Sequence, residues 1–499
     1  MWLEYIPEIF LSISLLAQLN FNAWFRNQSV YFKFPIISIS SLQTQIILLF
    51  TAFLYLYLPE TSFMINSFFL LENLNIVKLV LTLIAFFISL SIEQSLLSQK
   101  IAVFEYYTLF LLALLSFLLM LNCNDLLSFY LLMELQALIF YVLASFNKNS
   151  VYSVSAGLKY FILGSFISGF YLLGCSFVYF SLGTLNLNEI FLIVSFSLSD
   201  YNLLLTYLLT CGLVLVLITL LFKLGIFPFY FWIPDVYEGS PVVSTMIFSV
   251  LPKISLYVFL IKILSSILFF DYLYIIKTIF VFLGISSTFV GTFYALNQKR
   301  LKRMLIYSSI VQNGFLIVAL SIYTVTSMQA FFFFLILYLL TSILTWSMIT
   351  FFYRSNKIIA SFESSNSSIL YINSISNVYP VNVFLGLSIV VIFSSLAGIP
   401  PFLGFFSKMF VINEMVGFNV YLAIIFLLLS VVSVFYYIRL IKIAFFEPSI
   451  SNNNTFFVSF KQTENFGLYY FFYIIFLFLS INFIAPSFIL ILTTNFALI

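Results

Sequence analysis

The stretch LFKLGIFPFYFWIPDVYEGSPVVSTMIFSVLPKISLY, residues 221–257, sets two lysines, Lys223 and Lys253, in otherwise apolar helix. A charge at mid-bilayer costs on the order of 2.5 to 3.5 kcal/mol even on the mildest scale, so it is kept there for work or for an opposite charge. Counted from a polar turn at Pro234–Ser240, Lys223 lies roughly 16 Å and Lys253 roughly 18 Å into successive helices, at about 1.5 Å rise per residue. Half a bilayer core is about 15 Å, so the spacing places both ammonium groups near one mid-plane. Pro228 and Pro252 each remove a backbone donor and push away the carbonyl four residues earlier, at Leu224 and Phe248, which predicts a break or kink beside each lysine. Irregular backbone at that depth needs protein or a water-filled cavity around it. In the turn, Asp235 and Glu238 read as surface residues, Ser240 as an N-cap and Pro241 as the first helical position.

Outward from this stretch the chain stays apolar: 63% of its 499 residues are hydrophobic, 7% are charged, and the mean hydropathy is +1.16. That composition excludes a soluble globular protein and predicts an all-α, polytopic membrane protein. Fourteen apolar runs of spanning length follow one another, among them 203–232, 241–268, 382–415 and 467–494. Glu4 and Glu8 stand where a signal or transit peptide would be basic, so the chain is expected to begin in its first span. Histidine is absent, and the three cysteines, Cys123, Cys175 and Cys211, fall on separate spans, a poor set for zinc, haem or an iron–sulfur cluster.

Charge fixes the expected orientation. One alternating set of loops carries Arg26, Lys33, Lys100, Lys148, Lys299, Arg300, Lys302, Arg303, Arg354, Lys357, Arg439, Lys442 and Lys461; the opposite set has Lys78, Lys262 and Lys277 near its edge. By the positive-inside rule both termini face outward, and these last three lysines read as snorkelling anchors. Tagging should find the termini outside and the NQKRLKR loop, 297–303, inside; termini on opposite faces would contradict a fourteen-span chain. That basic loop reads as a topology anchor, and Ser355–Asn377 as a polar surface loop.

Gly225-Ile-Phe-Pro-Phe229 recurs as Gly398-Ile-Pro-Pro-Phe402, in the seventh and twelfth spans. Five spans is an odd number, so the copies enter the membrane from opposite sides, as in an inverted repeat of two five-helix units with broken helices 7 and 12. The expected organisation is an N-terminal three-helix segment (1–103), two repeats (104–268 and 269–446) and a last helix (447–499).

Two further buried charges belong to the first repeat. Glu134, about 18 Å deep, is level with Lys223, and the two are expected to form an ion pair between the fifth and seventh helices. Lys159 is shallower, in a helix whose Gly157, Gly164, Ser165, Ser168, Gly169 and Gly174 favour close packing; snorkelling and function explain it equally. A lysine can hold or give up a proton as a neighbouring carboxylate's charge changes, whereas arginine stays protonated, so a row of lysines and glutamate at mid-membrane suits a proton relay.

AGLKYFILGSFISGFYLLG, FKLGIFPFYFWIPDVYEGSP followed by SVLPK, and LAGIPPFLGFFSKMFV together resemble the antiporter-like membrane subunits of respiratory complex I, of the NADH dehydrogenase subunit 2 type. The sequence departs from that pattern after EGSP, where Val242-Val243 replaces a proline-containing turn. The resemblance implies that Glu134, Lys159, Lys223, Lys253 and Lys408 are proton-pathway residues in helices 5, 6, 7, 8 and 12. It implies a proton-translocating part of an NADH:ubiquinone reductase, with no cofactor in this chain and FMN, iron–sulfur clusters and ubiquinone in partner subunits. The implied partners are other membrane-arm subunits, including neighbouring antiporter-like ones, and lipids, with no nucleic acid. The implied site is the mitochondrial inner membrane, or else a bacterial or chloroplast energy-converting membrane. The competing reading is a subunit of a multisubunit Na+/H+ antiporter, whose members carry histidines near the start of helix 8 where this chain has none.

Overall fold

A computed structural model of the chain describes residues 5–28, 36–57, 74–99, 105–197, 203–267, 273–360, 371–376, 383–447 and 493–494. Its elements are helices: α1 (Ile6–Gln28), α2 (Ile36–Tyr57), α3 (Leu74–Gln99), α4 (Glu105–Asn122), α5 (Leu126–Ala144), α6 (Val151–Leu182), α7 (Leu187–Ser197), α8 (Leu203–Leu224), α9 (Trp232–Gly239), α10 (Val242–Ile267), α11 (Leu273–Asn297), α12 (Leu301–Ile322), α13 (Val325–Ala360), α14 (Val383–Ala397), α15 (Leu403–Phe418) and α16 (Val420–Phe446). Among the described residues, eleven are long and apolar enough to cross a membrane. The first thirteen predicted spans coincide with helix, and the fourteenth, 467–494, lies outside the described residues but for Thr493 and Thr494. The short α7 has no counterpart among the predicted spans; it is followed by α8 and packs on α10.

The described residues form two compact units: the first holds α1, α2, α3 as far as Ser89, and α4 onward to Ile279; the second holds the end of α3 and the chain from Phe280. In the first, α6 lies between α5 and α8 and packs on both. Small residues permit this: a Cβ on Gly174 would come 2.9 Å from the Gly212 carbonyl oxygen, and one on Gly212 would come 2.8 Å from that of Gly174. Gly157 abuts Ser145 and Gly164 abuts Tyr141 in the same way. Gly169 meets nothing and Ser165 is exposed, so the small-residue face is narrower than the sequence suggests.

Both glycine-proline breaks are real and share one hydrogen-bond pattern. Gly225 and Gly398 take the left-handed conformation, φ 69° and 77°, that only glycine adopts cheaply. In the first, Gly225 N–H donates to Phe222 O at 3.0 Å and Ile226 N–H to Leu221 O at 3.1 Å; in the second, Gly398 N–H donates to Ser395 O and Ile399 N–H to Ser394 O, both at 3.1 Å. Each pair closes the end of a half-helix by satisfying carbonyls that the break would strand. The lysines do not repeat with the turn: Lys223 stands before its break, on α8, and Lys408 after its break, on α15.

Four local expectations are corrected. The segment expected as a polar turn is the short helix α9, because Trp232, Ile233, Val236 and Tyr237 all point into the protein and give it an apolar face. The Ser240 hydroxyl turns back to Tyr237 O at 3.2 Å, and the first carbonyl of α10 to accept a backbone bond is that of Pro241, from Thr245 N–H, so α10 starts at Val242. Finally, α10 runs unbroken through Pro252. The Phe248 carbonyl that this proline frees accepts the Tyr237 hydroxyl at 3.1 Å, which removes the cost that would otherwise favour a break. The expected surface loop at 355–377 is also partly structured. Helix α13 continues to Ala360, and a turn of 3-10 helix, Ile372–Ile375, is joined to the basic loop by Ile372 N–H donating to Lys299 O at 3.0 Å.

Candidate proton-transfer site

Lys223 occupies the last turn of α8, where the break at Gly225 ends the helix. Its ammonium is buried and has no hydrogen-bond partner among the described residues. Glu134, half-buried on α5, leaves Oε1 equally without a partner. The expected ion pair is therefore not formed: no hydrogen bond or salt bridge within 4.0 Å joins the two. The reason is architectural, since α6 packs between the helices that carry them. Glu134 still acts on Lys223 through space.

A run of aromatic side chains that the sequence did not single out reaches from the neighbourhood of Glu134 to the broken end of α8. Tyr141 meets Tyr160 edge-on at 4.9 Å, Tyr160 stacks on Trp232 at 5.1 Å, and Trp232 stacks on Phe222 at 5.7 Å. The Trp232 indole N–H donates to Phe222 O at 3.0 Å and so caps the broken end beside Lys223. The Tyr141 hydroxyl, within the electrostatic reach of Glu134, is buried without a partner. The available signal was the spacing of Tyr141, Tyr160 and Trp232 on three successive spans, but aromatic residues are so common in this chain that no one of them stood out.

The other predicted residues have different settings. Lys253 is buried in the middle of α10. Lys159 is not buried: it is 56% exposed and pairs at 2.6 Å with Asp235, 44% exposed, on α9. An exposed pair of this kind contributes little to stability. In the second unit, the buried Lys408 ammonium donates to Ala397 O at 2.8 Å, the last residue of α14, and to Ser433 Oγ at 3.4 Å, and lies 5.5 Å from the Phe315 ring centre.

Two of the three lysines read as snorkelling anchors point inward instead. Lys262 is buried and donates to Leu121 O, Cys123 O and Asn124 Oδ1 at 2.8, 2.9 and 3.2 Å, so a cation sits on the C-terminal end of α4. Lys78 is buried in an ion pair with Glu8 at 2.9 Å. Lys277 is half-buried on α11. Replacing Lys262 with alanine should destabilise the assembled protein by about 1 to 3 kcal/mol for each acceptor left unmade, read as a lower thermal midpoint in mild detergent.

Residues 123–434 match the family described as NADH:quinone oxidoreductase/Mrp antiporter, transmembrane. NADH-quinone oxidoreductase subunit N of Pelagibacter ubique is 34% identical over 453 residues, 90% of this chain and 91% of the relative. NADH-ubiquinone oxidoreductase chain 2 of Marchantia polymorpha is 34% identical over 356 residues, 70% of this chain and 68% of the relative. Among solved structures, a chain of respiratory complex I from Thermus thermophilus superposes with a TM-score of 0.70 at 23% identity, covering 97% of this chain and 98% of its own. A chain of the Mrp complex from Dietzia sp. superposes with a TM-score of 0.74 at 16% identity, covering 100% and 97%. The structures share the fold; with the sequence matches, they show that the chain belongs to the antiporter-like membrane subunits of NADH:quinone oxidoreductase, of the subunit N or chain 2 type.

Proposed function

We propose that this chain is the proton-translocating membrane-arm subunit of an NADH:ubiquinone oxidoreductase, relaying protons through Glu134, Lys223, Lys253 and Lys408 while other subunits carry out the redox chemistry. The observation that carries the reading is the Lys223 ammonium, buried without a hydrogen bond at a broken helix end with a carboxylate in electrostatic reach. A structural lysine would be paired, because an unpaired charge in the membrane destabilises the fold. Held by no hydrogen bond among the described residues, the Lys223 ammonium is free to give up its proton.

FMN, iron–sulfur clusters and ubiquinone belong, on this reading, to partner subunits, and Lys159, exposed and paired to Asp235, tunes the inner end of the path. The two matched broken turns support the inverted five-helix repeat. The membrane is the mitochondrial inner membrane; relatives in both bacteria and plants carry the same subunit type. Extraction in mild detergent should bring down NADH-oxidising partner subunits with this chain, and NADH oxidation by the intact membranes should drive proton transport in the absence of sodium. Sodium-dependent transport without NADH-oxidising partners would replace this reading with the antiporter one.

A further inference from the structure

The first unit holds a second buried polar cluster that the relay residues do not use. It sits where α1 and α3 begin and α2, α4 and α10 end, which the charge asymmetry of the loops places on the outer side. Glu8, on the first turn of α1, accepts at Oε1 from Lys78 on α3 at 2.9 Å and from Asn122 Nδ2 at the end of α4 at 3.2 Å. Its second oxygen, Oε2, is buried with no partner. The Tyr55 hydroxyl, on α2, is buried beside Glu8 without closing a full hydrogen bond to it, and its ring faces the Lys78 ammonium, 5.6 Å from the ring centre. A buried carboxylate whose second oxygen is left with a loosely placed hydroxyl beside it is poorly satisfied for a purely structural group.

The cluster is continuous with the mid-membrane lysines through α4 and α10. Asn122, which holds Glu8, belongs to the same helix end whose Leu121 and Cys123 carbonyls hold Lys262. Lys262 stands on α10 nine residues after Lys253, a rise of about 13 Å, which a file of about four hydrogen-bonded waters would span. Charged and titratable groups around Glu8 are Lys78 from α3, Tyr55 from α2, and Lys262, Cys123 and Asp125 around the end of α4. Glu8 pairs with Lys78, and Lys262 and Asp125 stand farther off around the end of α4.

We propose that Glu8, with Tyr55 and Lys78, is a proton-release site at the outer end of the first unit, receiving protons that leave Lys253 along α10. The proposal rests on the relay reading above. A proton arriving through water forms an O–H bond at the free Oε2 and cancels the carboxylate charge that pairs with Lys78. The Lys78 ammonium, left without its partner, then favours its departure: the O–H bond breaks, the proton passes to outer water, and Glu8 re-forms its pair with Lys78. Lys262, fixed by three acceptors, is a positioning residue that keeps the end of α4 and Asn122 in place.

The test uses the intact complex in sealed membranes, with assembly checked on native gels and outward proton release per NADH followed as outer pH is varied. Glu8→Gln keeps the shape and an acceptor for Lys78 and Asn122 but cannot shuttle a proton; it should lower outward release and flatten its dependence on outer pH. Tyr55→Phe removes only the hydroxyl beside Glu8 and leaves the Lys78 and Asn122 bonds in place, so a structural cluster would still assemble and keep its dependence on outer pH; a weakened dependence on outer pH is expected, and this variant decides the matter if Glu8→Gln fails to assemble. Wild-type release and pH dependence in Tyr55→Phe, together with the same in any assembled Glu8→Gln, overturn the proposal. Lys223→Ala in the same membranes separates the two readings. Normal pumping in that variant removes the relay itself, whereas loss there beside wild-type behaviour in the other two removes only the outward site.

Discussion

Lys223→Ala is expected to assemble normally and to lose most redox-driven proton pumping. The two halves of that expectation come from the same observation. The ammonium makes no hydrogen bond, so its removal strands no partner, and it relieves a buried charge worth on the order of 2.5 to 3.5 kcal/mol, against which the small cavity left behind is a modest loss. A functional defect therefore cannot be traced to lost structural bonds. Lys223→Arg should not restore pumping, because a guanidinium keeps its charge and does not release its proton. Glu134→Gln should impair pumping less, and the double variant should be no worse than Lys223→Ala alone, since both act on one event. The measurement is proton uptake or membrane potential per NADH oxidised, in membranes with equal amounts of assembled complex. Fully coupled pumping in Lys223→Ala would leave Lys223 without a role in the relay.

Reading the chain by period and charge located what the bilayer dictates and missed what side-chain packing decides. Spanning length and apolarity reflect the cost of exposing backbone to lipid, so the order of the long helices was legible, while the short α7 and α9 were not. The broken helices were legible too, because glycine followed by proline leaves the backbone few alternatives. Pro252 shows the limit. Its effect depended on whether Tyr237, on another helix, reached the freed Phe248 carbonyl, and no local signal carries that. Depth along a helix placed Glu134 and Lys223 at one level but said nothing of the azimuth between them, so a through-space relationship was read as a contact. The same blindness hid Glu8 and Lys78, which lie near helix ends and look like interface anchors in sequence, although their side chains face each other inside the bundle. Lys262 was misread for the matching reason: its end of α10 faces the α4 terminus, and a helix C-terminus attracts a cation from any direction.

Lys408 should respond differently from Lys223, because it is held. Its ammonium satisfies the Ala397 carbonyl at the end of α14, where the break at Gly398 leaves acceptors without intrahelical donors, and the negative end of that half-helix favours the charge. Gly398 is what lets the chain approach: a Cβ there would come 2.8 Å from Lys408 Cδ, so even alanine would push the lysine off its site. Lys408→Met should therefore lose both pumping and assembly, with the orphaned carbonyl alone destabilising the unit by about 1 to 3 kcal/mol. Lys408→Arg divides the two roles. It keeps a cation and N–H donors near Ala397 and Ser433, so assembly on native gels should largely return, while proton transport per NADH should stay low because the guanidinium does not give up its proton. Normal pumping in an assembled Lys408→Arg complex would make this lysine a cap for a broken helix and nothing more, and the proton path through the second unit would have to run through other groups.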